Sequence, residues 1–318
     1  MKINELMQYG IRKIENMNKM NFRLLDGGTG RELKRIGAPF RQPEWSALAL
    51  IEAPNFVSKV HDNYISVGAD VITTNSYAVV PFHIGQKRFD EQGYALASLA
   101  GKLARDSANR SEHKVFVAGS IPPALGSYRA DLFNRKLAAP IWRIIVDGLS
   151  PHVDYWLAET LSSTEEASLL VEILGTDTKP RWISFTLDDL SSRDNPKIRS
   201  GESITAAAES AIAAGVEALL FNCCQPEVIA GAIRLAYPTV AAKGIRIGAY
   251  ANAFPPQDES ATANSTLLEL RQDLTPEEYG RYALLWRSIG ASIIGGCCGV
   301  GPEHILALRD LFPREAMT

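Results

Sequence analysis

Short apolar runs, each followed by a longer stretch with helical spacing, recur about eight times along the 318 residues. This alternation is typical of parallel α/β proteins. The runs are apolar on successive positions, as strands buried on both faces should be. Eight strands are what a closed (β/α)8 barrel requires, so we predict the α/β class and that barrel. The predicted strands are Phe22–Leu25, Ala69–Thr73, Lys114–Ala118, Val153–Ala158, Arg181–Phe185, Val216–Phe221, Ile245–Ala249 and Ala291–Ile294.

The domain organisation is predicted to be simple, because no break in composition divides the chain. A single (β/α)8 TIM-type barrel over residues 21–318 fits within the usual size range of this fold. Residues 1–20 carry apolar side chains at helical spacing and are predicted to form a short amphipathic extension. The stretch 254–265 is rich in Pro, Ser and Asn, and we expect it to contribute to the mouth of the barrel.

Composition and charge exclude several classes of protein. The 33 Lys and Arg residues nearly balance the 36 Asp and Glu residues, and no basic stripe is present. A nucleic-acid partner is therefore not expected, because phosphate binding needs clustered positive charge. No run approaches the roughly 18 apolar residues of a membrane span, and the amino terminus lacks a secretory apolar core. We expect a cytoplasmic protein with no membrane partner.

The four cysteines form two adjacent pairs, Cys223-Cys224 and Cys297-Cys298, directly after the sixth and eighth predicted strands. The carboxyl ends of barrel strands converge, so thiolates from both pairs can reach one ion, and three or four sulfurs around one centre are typical of zinc. Glycines around Cys297 and Cys298 permit the turn that lets both bind. In the first pair we favour Cys223, which leaves the metal open to substrate; binding by all four would close a structural site.

Acidic residues also follow predicted strands. Asp26 ends the first strand and Glu159 ends the fourth, so both face the same rim of the barrel. Either carboxylate could bind a substrate ammonium group or cap the next helix. Backbone N–H groups around Gly27 and Gly28 could hold a substrate carboxylate. Because a metal held by three thiolates suits the ionisation of a thiol, the pattern describes a pocket for an amino acid that bears a thiol.

These strand-end residues resemble the homocysteine S-methyltransferase family. The segment Asp26–Leu33 resembles the family's DGGxGTEL, and Ala69–Tyr77 resembles its ADIITTNTY. Glu159-Thr160 resembles its fourth-strand acid and Asn222-Cys223 its NC motif, while Gly295–Gly299, with Pro302 and His304, resembles its GGCCGxxPxHI ending. The motifs run in order from about residue 22 to residue 312, so the resemblance covers nearly the whole chain.

The resemblance implies a barrel enzyme that transfers a methyl group to zinc-bound homocysteine and forms methionine. It implies Zn²⁺ as the cofactor and small-molecule partners, namely homocysteine and a methyl donor, and it leaves a homo-oligomer open. No catalytic residue beyond the metal site is expected. The implied metal ligands are Cys223, Cys297 and Cys298, and the substrate-binding residues are taken as Asp26, Gly27, Gly28, Thr73, Glu159 and Asn222.

The sequence departs from the family pattern where a methyl donor would bind. Arg31 replaces the family's Thr, Ile121–Tyr128 replaces GPxGAxL, and Ala251–Phe254 replaces PNSG. S-methylmethionine and S-adenosylmethionine are the first expectations, with betaine and a corrinoid-carried methyl as alternatives. A cationic sulfonium would suit aromatic faces, although ordinary packing is the more frequent role of such residues. The candidates are Tyr77, Tyr128, Tyr250 and Phe254.

A hypothesis from another class is a non-catalytic barrel that responds to metal or redox state. In that protein all four thiols would close a structural site or form disulfides. The two hypotheses differ in the role of Cys224, which only the second requires for metal binding. The acceptor is open between homocysteine and a close analogue such as selenohomocysteine.

Overall fold

The computed structural model describes residues 22–256 and 269–313, in which eight parallel strands form one sheet in the order β1-β8-β7-β6-β5-β4-β3-β2. Leu25 forms a parallel bridge with Val71, which joins β1 to β2 and brings the two edges of the sheet together. The predicted (β/α)8 barrel is confirmed. The strands are β1 (Arg23–Leu24), β2 (Val71–Thr73), β3 (Phe116–Ile121), β4 (Tyr155–Leu161), β5 (Arg181–Phe185), β6 (Ala218–Asn222), β7 (Arg246–Tyr250) and β8 (Ile293–Ile294).

Helices surround the sheet, and several begin where the sequence predicts. Ser163 and Glu166 form a capping box, Thr275 accepts a hydrogen bond from the Glu278 N–H, and Pro226 is the first residue of its helix. The helices are α1 (Thr29–Arg35), α2 (Ser46–Glu52), α3 (Pro54–Ser66), α4 (Pro81–Ile84), α5 (Gln86–Arg110), α6 (Arg135–Leu149), α7 (Thr164–Leu174), α8 (Ile204–Ala213), α9 (Pro226–Ala241), α10 (Pro276–Ser288) and α11 (Pro302–Leu311).

Two apolar layers hold the barrel together. The larger layer lies between strands and helices, and the smaller one fills the barrel interior, where Leu157, Trp182 and Leu220 are fully buried. Tyr155 stacks on Trp182 with ring centroids 4.6 Å apart. Successive residues of a strand point to opposite sides, which is why both kinds of layer draw on the same apolar runs. With the interior filled, a ligand must bind at the mouth.

Several strands extend beyond their predicted ends. β3 pairs with β4 through Ile121 and Ala158, and β4 pairs with β5 again at Leu161, beyond an irregularity in the register. Glu159 and Thr160 therefore lie within β4 rather than after it. Their polar side chains suggest a strand end, whereas the backbone bulges there and then resumes pairing.

Parts of the chain lie outside the described residues. The predicted extension over residues 1–20 is among them, as is most of the loop predicted after the seventh strand, at residues 257–268. Within the described part of the chain, none of the helices combines the length and apolar character needed to cross a membrane.

Candidate metal centre and substrate cavity

Three cysteines from two separate strands meet at the carboxyl end of the barrel. The three Sγ atoms, those of Cys223, Cys297 and Cys298, all lie within 4.8 Å of one another. The Sγ atoms of Cys223 and Cys298 are 3.9 Å apart, close to the separation of about 3.8 Å between two sulfurs of a tetrahedral zinc site. The structure therefore brings together the three cysteines that the sequence predicts as ligands.

The loop after β8 is tied to both neighbouring strands. The Gly296 N–H donates to the Asp26 carbonyl oxygen after β1, and the Cys297 N–H donates to the Ala251 carbonyl oxygen after β7. Gly28 packs so close to this loop that a Cβ there would lie 2.6 Å from the Cys297 carbonyl oxygen. Gly299 has φ +83°, a left-handed conformation that glycine adopts without strain. These features explain why glycines flank the cysteine pair.

Cys223 reaches the cluster through an unusual backbone conformation. Its φ is +52°, in the left-handed region that non-glycine residues seldom adopt, directly after β6 ends. The Thr186 hydroxyl donates to the Cys223 carbonyl oxygen at 3.2 Å, and the Tyr128 hydroxyl lies 3.0 Å from the Cys223 Sγ. Strain of this kind persists only where surrounding contacts hold it, so these contacts fix the position of the Cys223 thiol.

The electrostatics of the three thiols favour a bound cation. Hydrogen bonds from Cys223 and Cys297 lower the pKa of Cys298 well below its usual value. Hydrogen bonds to Cys223 and Cys298, together with burial, raise the pKa of Cys297. The three thiols lie so close together that ionisation of one opposes ionisation of the next through like-charge repulsion. A divalent ion would remove that opposition, and three soft sulfur donors fit such a metal.

Cys224 does not belong to this cluster. All four cysteines are free thiols, and Cys224 is fully buried in the core beside the others. Among the described residues, the group of sulfurs close enough to share an ion contains Cys223 but omits Cys224. The arrangement is the three-thiol one, with Cys223, Cys297 and Cys298 all lining the adjoining cavity.

The cavity beside the cysteines holds Asp26 and its partner Thr73. The Thr73 N–H and hydroxyl both donate to the Asp26 carboxylate, at 2.7 and 3.0 Å. Burial nevertheless raises the pKa of Asp26 to about 7, against the effect of these hydrogen bonds. Gly27 and Gly28 also line the cavity, although the Gly28 N–H already donates to the Val300 carbonyl oxygen.

Glu159 faces the same cavity from β4. It accepts a hydrogen bond from the Ser120 hydroxyl at 2.5 Å and another from the Tyr250 hydroxyl at 3.2 Å. Burial raises the pKa of Glu159 to about 7 in spite of these donors. Two buried carboxyl groups in one cavity would both be stabilised as anions by a ligand cation.

Asn222 lies apart from the cavity lining. Its side-chain oxygen accepts from the Thr160 N–H at 2.9 Å and from the Ser184 hydroxyl at 2.6 Å. Its amide nitrogen donates to the Thr160 hydroxyl at 2.9 Å. Thr160 has φ +61°, so Asn222 fixes the irregular part of β4 next to Glu159. The structure places Asn222 as a brace between strands, with its amide engaged by protein groups.

Aromatic and polar side chains complete the wall. Tyr77, Tyr128, Tyr250 and Phe254, which the sequence suggests as aromatic candidates, all line the cavity. Trp45 and His83 line it too and were missed, because they follow no predicted strand. The His83 Nδ1 lies 3.1 Å from the Pro43 carbonyl oxygen, which ties the chain before Trp45 to α4. The cavity is about 180 Å³ in volume.

A comparison with protein families decides the assignment. The family model described as Homocysteine S-methyltransferase matches residues 23–312, which run from the start of β1 to just beyond the end of α11. The chain belongs to the homocysteine S-methyltransferase family. This confirms the family inferred from the strand-end motifs. It also confirms an enzyme of the methyltransferase class EC 2.1.1, because methyl transfer to homocysteine is the activity of this family.

Relatives and a solved structure agree with the homocysteine S-methyltransferase assignment. Homocysteine S-methyltransferase 1 of Brassica oleracea var. italica is 29% identical over 314 residues, which cover 91% of this chain and 93% of the relative. Selenocysteine methyltransferase of Astragalus bisulcatus is 29% identical over 322 residues, 91% of each chain. The crystal structure of the homocysteine methyltransferase MmuM from Escherichia coli, metallated form, has a TM-score of 0.74 and 27% identity, and the match covers 93% of this chain and 98% of that one.

Proposed function

We propose that the protein is a zinc-dependent enzyme that methylates the thiol of L-homocysteine with a sulfonium donor, S-methylmethionine or S-adenosylmethionine, and forms methionine. The observation that carries the proposal is the placement of three cysteine sulfurs within 4.8 Å of one another on the wall of a cavity that also contains Asp26 and Glu159. The cysteine thiols can hold a metal that binds the thiol end of homocysteine, and the carboxyl groups can bind the ammonium group at its other end.

The metal ligands in this proposal are Cys223, Cys297 and Cys298. An all-sulfur donor set favours zinc over harder ions such as Mg²⁺ or Ca²⁺. When bound, zinc lowers the pKa of a substrate thiol, so that the thiolate is available at neutral pH.

The remaining groups bind and orient the acceptor. Asp26 and Glu159 receive the homocysteine ammonium group, and Thr73 holds Asp26 in place through its two hydrogen bonds. The substrate carboxylate lies against the Gly27–Gly28 backbone. Asn222 acts indirectly, by fixing Thr160 beside Glu159. With the thiolate sulfur held in line, the donor's S–CH₃ bond breaks as the new S–CH₃ bond forms, and orientation supplies much of the rate enhancement.

The aromatic wall supports a cationic donor. Trp45, Tyr77, Tyr128 and Phe254 line one continuous cavity with the cysteines. A sulfonium ion is attracted to the negative faces of such rings, and the attraction strengthens where water is excluded. A neutral thioether product is held less strongly, which favours its release after transfer.

The test uses reduced, zinc-loaded protein with homocysteine. S-methylmethionine, S-adenosylmethionine and betaine are offered separately, and methionine is quantified against a reaction without enzyme. We expect methionine with a sulfonium donor, and we expect Cys298→Ser to abolish it. The matched control is Cys224→Ser, which removes a thiol outside the cluster and should keep both zinc and activity. Protein that holds about one zinc but forms no methionine with any donor would overturn the proposal.

One relative favours a second acceptor. The relative from Astragalus bisulcatus is named a selenocysteine methyltransferase, and it is as similar to this chain as the homocysteine enzyme from Brassica oleracea var. italica. A selenolate forms at lower pH than a thiolate and suits the same soft metal. Selenocysteine and selenohomocysteine therefore belong in the same assay as competing acceptors, with the ratio of kcat/KM values as the readout.

A further inference from the structure

The segment between β5 and α8, residues 186–203, folds directly against the turn that carries Cys223. Thr186 donates to the Cys223 carbonyl oxygen. Three residues further on, the Asp189 carboxylate accepts the Gln225 N–H at 2.8 Å, just past Cys224. Antiparallel bridges, Leu187 with Ile198 and Lys197 with Ser203, shape the segment. One segment therefore contacts the strained turn at the Cys223 carbonyl group and again two residues later, at the Gln225 N–H.

A buried ion pair lies at the centre of this segment. An Arg199 guanidinium nitrogen is 3.6 Å from an Asp189 oxygen, and the two side chains are 3% and 0% exposed. The Arg199 guanidinium also lies over the Tyr128 ring, 5.0 Å from its centroid. Burying two opposite charges gives little net stability, because desolvation offsets their attraction. A role in fixing geometry explains the pair better than a role in stability does.

The contacts of the ion pair lead to the same cysteine by two routes. Arg199 contacts Tyr128, whose hydroxyl lies 3.0 Å from the Cys223 Sγ. Asp189 contacts the Gln225 N–H, which fixes the backbone that follows Cys223. We propose that the Arg199–Asp189 ion pair is a positioning device for the metal centre, with Arg199 holding Tyr128 against Cys223 and Asp189 holding the turn. This inference rests on the proposed metal-binding function of the three cysteines.

The device requires arginine rather than any cation. A planar guanidinium can pair with a carboxylate at its edge while its face covers an aromatic ring. A lysine ammonium retains the charge but not the flat surface, so it would leave Tyr128 free to turn away from Cys223. Arg199→Lys thus separates the positioning role from the charge.

The experiment measures metal affinity. Reduced, metal-free protein is titrated with Zn²⁺ in competition with a chelator and with Co²⁺ by its thiolate absorption, for wild type, Arg199→Lys, Tyr128→Phe and the double variant. Each single variant should bind zinc about 10-fold more weakly, as is typical when outer contacts of metal ligands are removed. Because the two residues act in series, the double variant should lose no more than the weaker-binding single variant.

A matched control is Arg105→Lys. Arg105 pairs with Asp154 at 2.7 Å just before β4 begins, at the opposite end of the barrel. Its replacement by lysine should leave zinc affinity unchanged. If Arg199→Lys does not fold, Asp189→Asn/Arg199→Met removes both charges together and should show the same loss. Wild-type zinc affinity in the Arg199 variants, or losses that multiply in the double variant, would overturn the inference. Wild-type protein that takes up neither Zn²⁺ nor Co²⁺ would instead overturn the proposed function on which it rests.

Discussion

At the scale of single residues, Glu159 shows how burial and hydrogen bonding act on a carboxyl group in the cavity. Its carboxyl group already has two hydroxyl donors, yet burial raises its pKa to about 7. A buried carboxylate lacks the stabilisation that water gives at the surface, and a substrate ammonium group would replace that stabilisation. Asp26 has the same character, with a pKa of about 7 and both oxygens turned to Thr73. In the proposed function, the two carboxyl groups thus select a ligand by its positive charge.

Replacing Glu159 by Gln tests this selection. Ser120 and Tyr250 donate to different oxygens of Glu159. Gln retains one oxygen acceptor and offers an amide N–H to the other hydroxyl, which can accept it, but Gln has no negative charge. Since a hydrogen bond to a charged group contributes about 1.5–3 kcal/mol, the KM for homocysteine should rise about 10- to 100-fold. The measurement is steady-state kinetics at pH 8. The difference from wild type should shrink below about pH 7, where protonation removes the charge of Glu159 itself.

Glu166→Gln is the matched control for Glu159→Gln. Glu166 is also a buried carboxyl group, but it accepts the Ser162 and Ser163 N–H groups at the start of α7 and lies outside the cavity lining. Its replacement should leave the KM for homocysteine unchanged. An equal rise in KM for both variants would point to a general loss of structure rather than to a lost ammonium contact.

At the scale of elements, the sequence predicts the cysteine-bearing ends well and the Glu159 region less well. The apolar run of β8 stops at Gly295-Gly296, so the position of Cys297 after the strand is visible in the sequence. Glu159 was expected after β4, whereas β4 continues to Leu161. A bulge stabilised by Asn222, 62 residues further along, has no local signature. The contact of Tyr128 with Cys223 spans 95 residues and is equally invisible in a local pattern.

Gly28→Ala tests how tightly the end of β1 packs on the loop after β8. The added Cβ would lie 2.6 Å from the Cys297 carbonyl oxygen and 3.0 Å from the Gly299 nitrogen, both backbone atoms, so the loop must move. We expect zinc affinity to fall about 10-fold or more, measured by chelator competition. In contrast, Gly30→Ala brings a Cβ to 3.3 Å from the Phe40 ring, a side chain that can adjust. Unchanged affinity in Gly28→Ala would mean that this packing does not position the cysteines.

At the scale of the whole molecule, the architecture follows from repetition, which is why the sequence predicts it. Eight apolar runs close into a barrel because each buries one set of side chains inside the sheet and another under the helices. The barrel interior also contains the stacked rings of Tyr155 and Trp182. Strand propensity alone does not predict that these two rings meet there. How the outer layer packs depends on contacts that sequence periodicity does not specify.

His61 is such a case, and it makes the stability of the molecule depend on pH. It lies on the buried face of α3, fully enclosed, and among the described residues neither ring nitrogen has a hydrogen-bond partner. Burial lowers the pKa of His61 from 6.5 to about 4, with smaller and opposite effects from Asp62 and Arg110. The unfolded chain therefore binds one more proton than the folded protein between about pH 4 and 6.5, and this group reduces stability as the pH falls through that range.

His61→Leu should remove this dependence. Leucine fills the site without a polar group to desolvate, so the variant should gain stability over wild type as the pH falls from 7.5 to 4.5, by about 2–3 kcal/mol across the range. Urea unfolding of metal-free protein at several pH values measures the difference. Val57→Ala, on the same buried face of α3, should instead lower stability, and the size of that loss should be the same at every pH. A gap between His61→Leu and wild type that does not change with pH would show that His61 is not the group that titrates, because only protonation can make the effect of a buried side chain grow with acidity.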